Sequence, residues 1–218
     1  MATAAPALHI GVVLDIVCPW CYVGKRRIEK AIELARQKRR DLEVSVEYMP
    51  YQLVPDLGHG LDKREYYRNR FGDRAAVLQE RVAAAGAEDG ISFSFGGKIS
   101  NTLDAHRLID YARLQGGSAA ESTAVESLMR RYFELEQDIG EANTLLAAAE
   151  DAHLDRKLTA AYLQSDDGVD AVRTKIAAAA KLGISGVPFY IINDRYGVSG
   201  AETPEALVDA FEKALQTV

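Results

Sequence analysis

The placement of the only two cysteines restricts this chain most. Cys18-Pro19-Trp20-Cys21 joins an apolar, β-branched run at residues 9–17 to a segment in which Ile28, Ala31, Ile32 and Ala35 recur at helical spacing. A strand that runs straight into a helix exposes the helix's first unpaired amides at the junction, and their partial positive charge favours an anion. The first sulfur sits where a thiolate is stabilised, so Cys18 is the expected nucleophile. Cys21, one turn further in, can reach a mixed disulfide formed at Cys18 and is the expected resolving thiol. Pro19 suits the first helical turn, where the amide it lacks would have no helical partner. Trp20, held between the thiols, is expected on the lip of the site. Two cysteines three positions apart cannot build a scaffold of long-range disulfides, so the pair reads as chemistry. Half a zinc site would need two further ligands, and His9, His59, His106 and His153 show no paired ligand spacing. No metal is expected.

Residues 42–49 alternate Leu42, Val44, Val46 and Tyr48 against Glu43, Ser45 and Glu47, which predicts a strand with one face buried. Strand, helix and strand in succession make a βαβ unit. The character then changes. Helical signals follow at 63–71, 74–85, 102–115, 119–136 and 143–150, with Asn101 and Asn143 as candidate caps and Gly116-Gly117-Ser118 as a turn. A stretch this long is no loop, so residues 56–167 are expected to form an inserted all-helical domain. A helix at 168–182, a strand at 189–193, its hairpin partner at 196–200 and a last helix opened by Thr203-Pro204-Glu205 follow. The predicted fold class is α/β, with residues 1–55 and 168–218 forming one domain around the insertion.

With 48% apolar residues among 218, the chain can bury a core without staples. Its 26 basic and 32 acidic residues give a net charge of -6, which argues against nucleic acid as a partner. No basic segment precedes the first apolar run, and Asp15 interrupts that run, so a secretory leader is not expected. No stretch approaches the roughly 18 consecutive apolar residues of a membrane span. The expected setting is cytoplasmic. Lys25, Arg26 and Arg27 are candidates for a further cationic influence on the thiol, but they lie a turn or more beyond Cys18, and solvent is the alternative for their side chains.

The segment Asp15-Ile16-Val17-Cys18-Pro19-Trp20-Cys21-Tyr22-Val23-Gly24-Lys25-Arg26 resembles the active-site signature of the FrnE-like branch of DsbA-family oxidoreductases. Ser100-Asn101-Thr102 with Ala105-His106-Arg107, Gly186-Val187-Pro188-Phe189, and residues 197–201 resemble the same branch, so the similarity spans nearly the whole chain. It implies a thioredoxin fold interrupted by a helical domain. It also implies that Pro188 is a cis-proline facing the dithiol, that Val187 offers its backbone to an extended substrate, and that Asn101 and His106 stand in the cleft wall. Pro19 and Trp20 complete the substrate-binding set. The residues alone allow plainer readings: Pro188 as a trans proline opening an edge strand, Asn101 as a helix cap, His106 as an exposed helix residue.

Three functions compete. The leading one is a thiol-disulfide oxidoreductase working through a mixed disulfide with a protein or small-molecule thiol or disulfide. It has no tightly bound cofactor, and glutathione is a candidate co-substrate. The resemblance also points to a glutathione-dependent isomerase or transferase of the 2-hydroxychromene-2-carboxylate isomerase or kappa class, with an aromatic or polyketide metabolite as its candidate substrate; those relatives typically carry serine in place of the first thiol. The third is a binding module with Trp20, Tyr22 and Phe189 as apolar anchors. Monomer and homodimer both fit the sequence.

Overall fold

In the computed structural model, which describes residues 6–216, the apolar run forms β1 (Ala7–Leu14), buried from Ile10 onward. Residues 1–5, part of the segment read as lacking a leader, and residues 217–218 of the expected outer domain lie outside the described residues. Helix α1 (Pro19–Lys38) begins directly after Cys18, well before the periodic stretch that starts at Ile28. Its opening turns escape a periodicity argument because Cys21, Tyr22, Val23, Gly24 and Lys25 are all buried, so no polar face alternates with them. β2 (Glu43–Pro50) lies parallel to β1, with Leu8 opposite Val44 and Val12 opposite Tyr48.

The segment between β2 and the returning α/β elements holds β3 (Leu61–Asp62), α2 (Lys63–Phe71), α3 (Arg74–Glu88), β4 (Lys98–Ile99), α4 (Leu103–Phe133), α5 (Ala142–Asp151) and α6 (Arg156–Gln164). The all-helical expectation needs correcting: β3 and β4 pair antiparallel, Leu61 opposite Ile99. Two-residue strands are too short to show a period of two. The two helices expected at 102–115 and 119–136 meet at a kink where Gly117 adopts φ 69°, a conformation that favours glycine. Asn143 is not a cap, since Glu141 holds that position and Asn143 falls inside the first turn of α5. The unanticipated α6 is capped by Asp155, whose carboxylate accepts from the amides of Lys157 and Leu158, both at 2.8 Å.

The chain returns through α7 (Val169–Lys181), β5 (Phe189–Ile192), β6 (Tyr196–Ser199) and α8 (Pro204–Leu215). β5 runs antiparallel to β1 and β6 to β5, giving the sheet order β2-β1-β5-β6. The period of two then sorts the core. Leu8, Ile10, Val12 and Leu14 join the large core that includes Ile28 of α1 and Phe211 of α8, while Val13 packs with Ala179 of α7 and Ile184. Among the described residues no helix is long and apolar enough to cross a membrane.

One buried cation has a measurable consequence. Lys63 is 1% exposed, its ammonium donating to the Tyr132 carbonyl at 2.8 Å and standing 3.7 Å from the Tyr132 ring centroid. Burial pulls its pKa from 10.5 to about 8, with Glu136 and Asp138 opposing the drop. Between those values the unfolded chain holds a proton that the folded chain has released, so stability rises with pH across the window. Relative to Lys63→Met, the wild type is expected to gain on the order of 2–3 kcal/mol between about pH 7 and 10, and almost nothing below about pH 7. Urea unfolding of both proteins at each pH checks this, and a constant difference across the window refutes it.

Candidate active site

The junction between β1 and α1 is set by its backbone. The Cys18 amide donates to the Asp15 carbonyl at 3.1 Å and the Cys21 amide to the Cys18 carbonyl at 3.0 Å. Cys18 occupies the N-cap of α1 with its side chain making no cap hydrogen bond, and its Sγ donates to the Val187 carbonyl at 3.6 Å. Cys21 lies one turn deeper, 1% exposed. Burial pushes its thiol well above the ordinary range, and the hydrogen bond with Cys18 pushes it further. Cys18, by contrast, lines a cavity of about 370 Å³ together with Pro19 and Trp20. Of the two thiols, Cys18 alone lines the cavity.

The Val187–Pro188 peptide, opposite this junction, is cis. Pro188 approaches α1 at Gly24, where a Cβ would come within 2.4 Å of the Tyr190 hydroxyl and 3.0 Å of a Pro188 ring carbon. Only a residue without a side chain lets the dithiol helix lie this close to the loop and to β5.

Asp15 was not anticipated as a site residue. It is 1% exposed, one carboxylate oxygen accepting from the Leu53 amide at 2.8 Å and the other 3.4 Å from His106 Nε2. His106 Nε2 also stands 2.9 Å from the Tyr51 carbonyl, which can only accept, so this nitrogen carries the proton. Asp15 thereby ties the turn before Cys18 to the segment after β2. The available signal was a carboxylate at the end of an otherwise apolar strand, three positions before Cys18.

Two expected cleft residues are placed elsewhere. His106 is 2% exposed, buried behind Asp15 and absent from the cavity lining. Asn101 accepts from Gln52 Nε2 and from the Leu103 amide, both at 2.9 Å, and donates to the Pro55 carbonyl at 2.7 Å. It faces a separate hollow shared with Gln52 and His59. The start of α4 packs on the connection after β2 and not on the dithiol, so both residues brace residues 51–55, of which Leu53 and Val54 do line the cavity.

The residues after the dithiol also depart from expectation. Tyr22 is fully buried, its hydroxyl donating to Glu134 at 2.7 Å and its ring stacked on Phe133, so it cannot anchor a ligand. Lys25 is buried and paired with Glu29 at 2.6 Å and Glu126 at 3.0 Å, Arg26 with Glu126 at 2.5 Å, and Arg27 with Asp89 at 2.7 Å. Burial alone would depress Lys25, but Tyr48, Glu29 and Glu126 outweigh it and hold the ammonium above its ordinary range. The Glu126 pairs join α1 to α4 and the Asp89 pair joins it to the end of α3, because the insertion covers the face a sequence reading leaves to solvent. Among the described residues no group of three or more His, Cys, Asp or Glu side chains is gathered to hold a metal.

A family model described as DSBA-like thioredoxin domain matches residues 9–212. The uncharacterized protein YwbO of Bacillus subtilis (strain 168) is 30% identical over 209 residues, covering 95% of this chain and 96% of that protein. The crystal structure of the probable DsbA oxidoreductase SCO1869 from Streptomyces coelicolor is similar with a TM-score of 0.86 at 28% identity, over 97% of this chain and 91% of that one. A 2-hydroxychromene-2-carboxylate isomerase shares the fold at 15% identity, with a TM-score of 0.70 over 96% of this chain and 97% of that one. With the family model running from β1 to α8, and the same fold followed along nearly the whole of a solved relative, the chain belongs to the DSBA-like thioredoxin domain family and carries its DsbA-like oxidoreductase fold.

Proposed function

We propose that the protein catalyses thiol-disulfide exchange through Cys18 and Cys21. The observation that carries this reading is the asymmetry of the pair: Cys18 at the helix N-terminus on a cavity, Cys21 buried behind it with its thiol pushed up. The Cys18 thiolate attacks one sulfur of a disulfide R–S–S–R, forming a Cys18–S–R bond and expelling RS⁻. The Cys21 sulfur, on losing its proton, attacks Cys18, closing the protein disulfide and expelling the second RS⁻. Two electrons pass from the dithiol to the substrate, and its two protons go to the released thiols. Run backwards, the same steps oxidise a substrate dithiol.

Each turnover leaves the pair in the opposite redox state, so a second thiol or disulfide must restore it; glutathione is our candidate for that exchanging co-substrate. The dithiol as the whole cysteine content suits a reducing, cytoplasmic setting, where catalytic disulfides are transient. A thiol at position 18, where isomerase and transferase relatives typically carry serine, favours exchange over the glutathione-dependent isomerase reading.

Brief treatment of the reduced protein with iodoacetamide, followed by peptide mass analysis, tests the assignment of roles. Cys18 is expected to react roughly tenfold or more faster than Cys21. Equal rates, or a faster Cys21, would remove the assignment.

A further inference from the structure

The cavity beside Cys18 narrows the class of substrate. Its volume of about 370 Å³ falls at the small end of the range, roughly 300–1,000 Å³, in which proteins hold small molecules. The walls come from both parts of the chain, with Trp20 beside the dithiol facing Tyr66, Tyr67 and Phe71 of α2 and Phe95 ahead of β4. Flat apolar rings suit such walls. Arg70 is the one charged residue of the lining. Among the described residues no carboxylate pairs with Arg70, whose guanidinium stands 5.9 Å from the Phe71 ring centroid. Val187 and Pro188, beside which an extended polypeptide is expected, do not line this cavity.

Resting on the exchange reading, we infer that the cavity is the binding site for a small aromatic disulfide bearing an anionic group. The ring lies among Trp20, Tyr66 and Phe71, the anion meets Arg70, and one sulfur is presented to Cys18. Attack by Cys18 forms the Cys18–sulfur bond and breaks the substrate's S–S bond, the electron pair leaving on an aryl thiolate. Attack by Cys21 then releases the second aryl thiolate. The substrate is reduced by two electrons, the protein dithiol is oxidised, and the two dithiol protons leave with the products.

The test uses 2-naphthoate, which has no sulfur, and its neutral isostere 2-naphthamide on the reduced full-length protein. Binding is read from the rate of Cys18 alkylation and from the emission of Trp20, the only tryptophan. Naphthoate is expected to protect Cys18, naphthamide to bind about fivefold more weakly, and Arg70→Gln to abolish the difference, the size expected of one exposed ion pair. In parallel, Arg70→Gln should lower kcat/KM for 5,5′-dithiobis(2-nitrobenzoate) by about fivefold and leave that for 2-hydroxyethyl disulfide within about twofold. If millimolar naphthoate gives no protection while the protein still exchanges with 2-hydroxyethyl disulfide, the substrate class is overturned and the exchange reading stands. Protection by a disulfide-bearing peptide alone overturns it in favour of polypeptide substrates. A Cys18 inert to both disulfides overturns the exchange reading itself.

Discussion

A Cys18→Ser protein is expected to lose disulfide exchange by roughly a thousandfold or more, because a serine hydroxyl is not ionised at neutral pH and does not attack a disulfide sulfur. Cys21→Ser should behave differently. Its Cys18 still attacks, but the internal thiol that would release the product is gone. Well-oriented intramolecular attack reaches effective concentrations of about 10⁵ M, which millimolar external thiol cannot replace. The mixed disulfide should therefore accumulate, visible by intact mass as one adduct per chain that reductant removes. Both changes keep the size of the side chain but place a hydroxyl at sites that are 5% and 1% exposed, at a cost of about 1–3 kcal/mol where it finds no partner, so thermal unfolding is measured beside the exchange rate to show that each variant is folded. A Cys18→Ser rate within tenfold of wild type, or no adduct on Cys21→Ser, would defeat the mechanism.

Arg107→Ala should be strongly destabilising. The side chain is 3% exposed on α4, and its guanidinium donates to the carbonyls of Tyr162, Leu163, Ser165 and Asp167 at 2.7–3.3 Å and to Asp104 Oδ1 at 2.7 Å. The same group lies 5.1 Å from the Tyr162 ring centroid, which in turn stacks on Tyr111 at 4.3 Å. This one cation satisfies the carbonyls of the connection from α6 into α7, where the insertion hands the chain back to the sheet. Removing it strands several acceptors at once, so a loss of about 4 kcal/mol is expected, or roughly 10 °C in Tm. Arg107→Lys should recover less than half, since an ammonium cannot span carbonyls that a planar fork reaches together. Urea unfolding measures the loss, and faster hydrogen exchange at residues 162–169 would locate it. A loss below about 1 kcal/mol would show that water replaces the guanidinium.

Much of this was legible locally. Strands β1 and β2 show as an apolar run and an alternation, and the N-terminus of α8 shows in Thr203-Pro204, where the Thr203 hydroxyl accepts from the Ala206 amide at 3.2 Å. The dithiol is legible for the same reason: its position at the start of α1 follows from neighbours in the chain, and the helix amides act over one turn. Helix α6 was missed because its only buried residue is Thr159, so no apolar stripe marks a core-facing side, and the β3–β4 pair was missed because a two-residue strand shows no period.

The sequence by itself determined where the dithiol lies, because Cys18 and Cys21 sit one helical turn apart at the start of α1 and need only local geometry. The tertiary structure alone decided their surroundings. It brought α2 and α3 over Cys18 to enclose the cavity, set His106 behind Asp15 and away from the cleft, and turned Lys25 and Arg107 inward to partners distant in the chain. Those partners are separated by 55 to 101 positions, as in His106 with Tyr51 and Lys25 with Glu126. No local pattern encodes such pairings; they arise when buried polar groups, cut off from water, must find one another as the core closes.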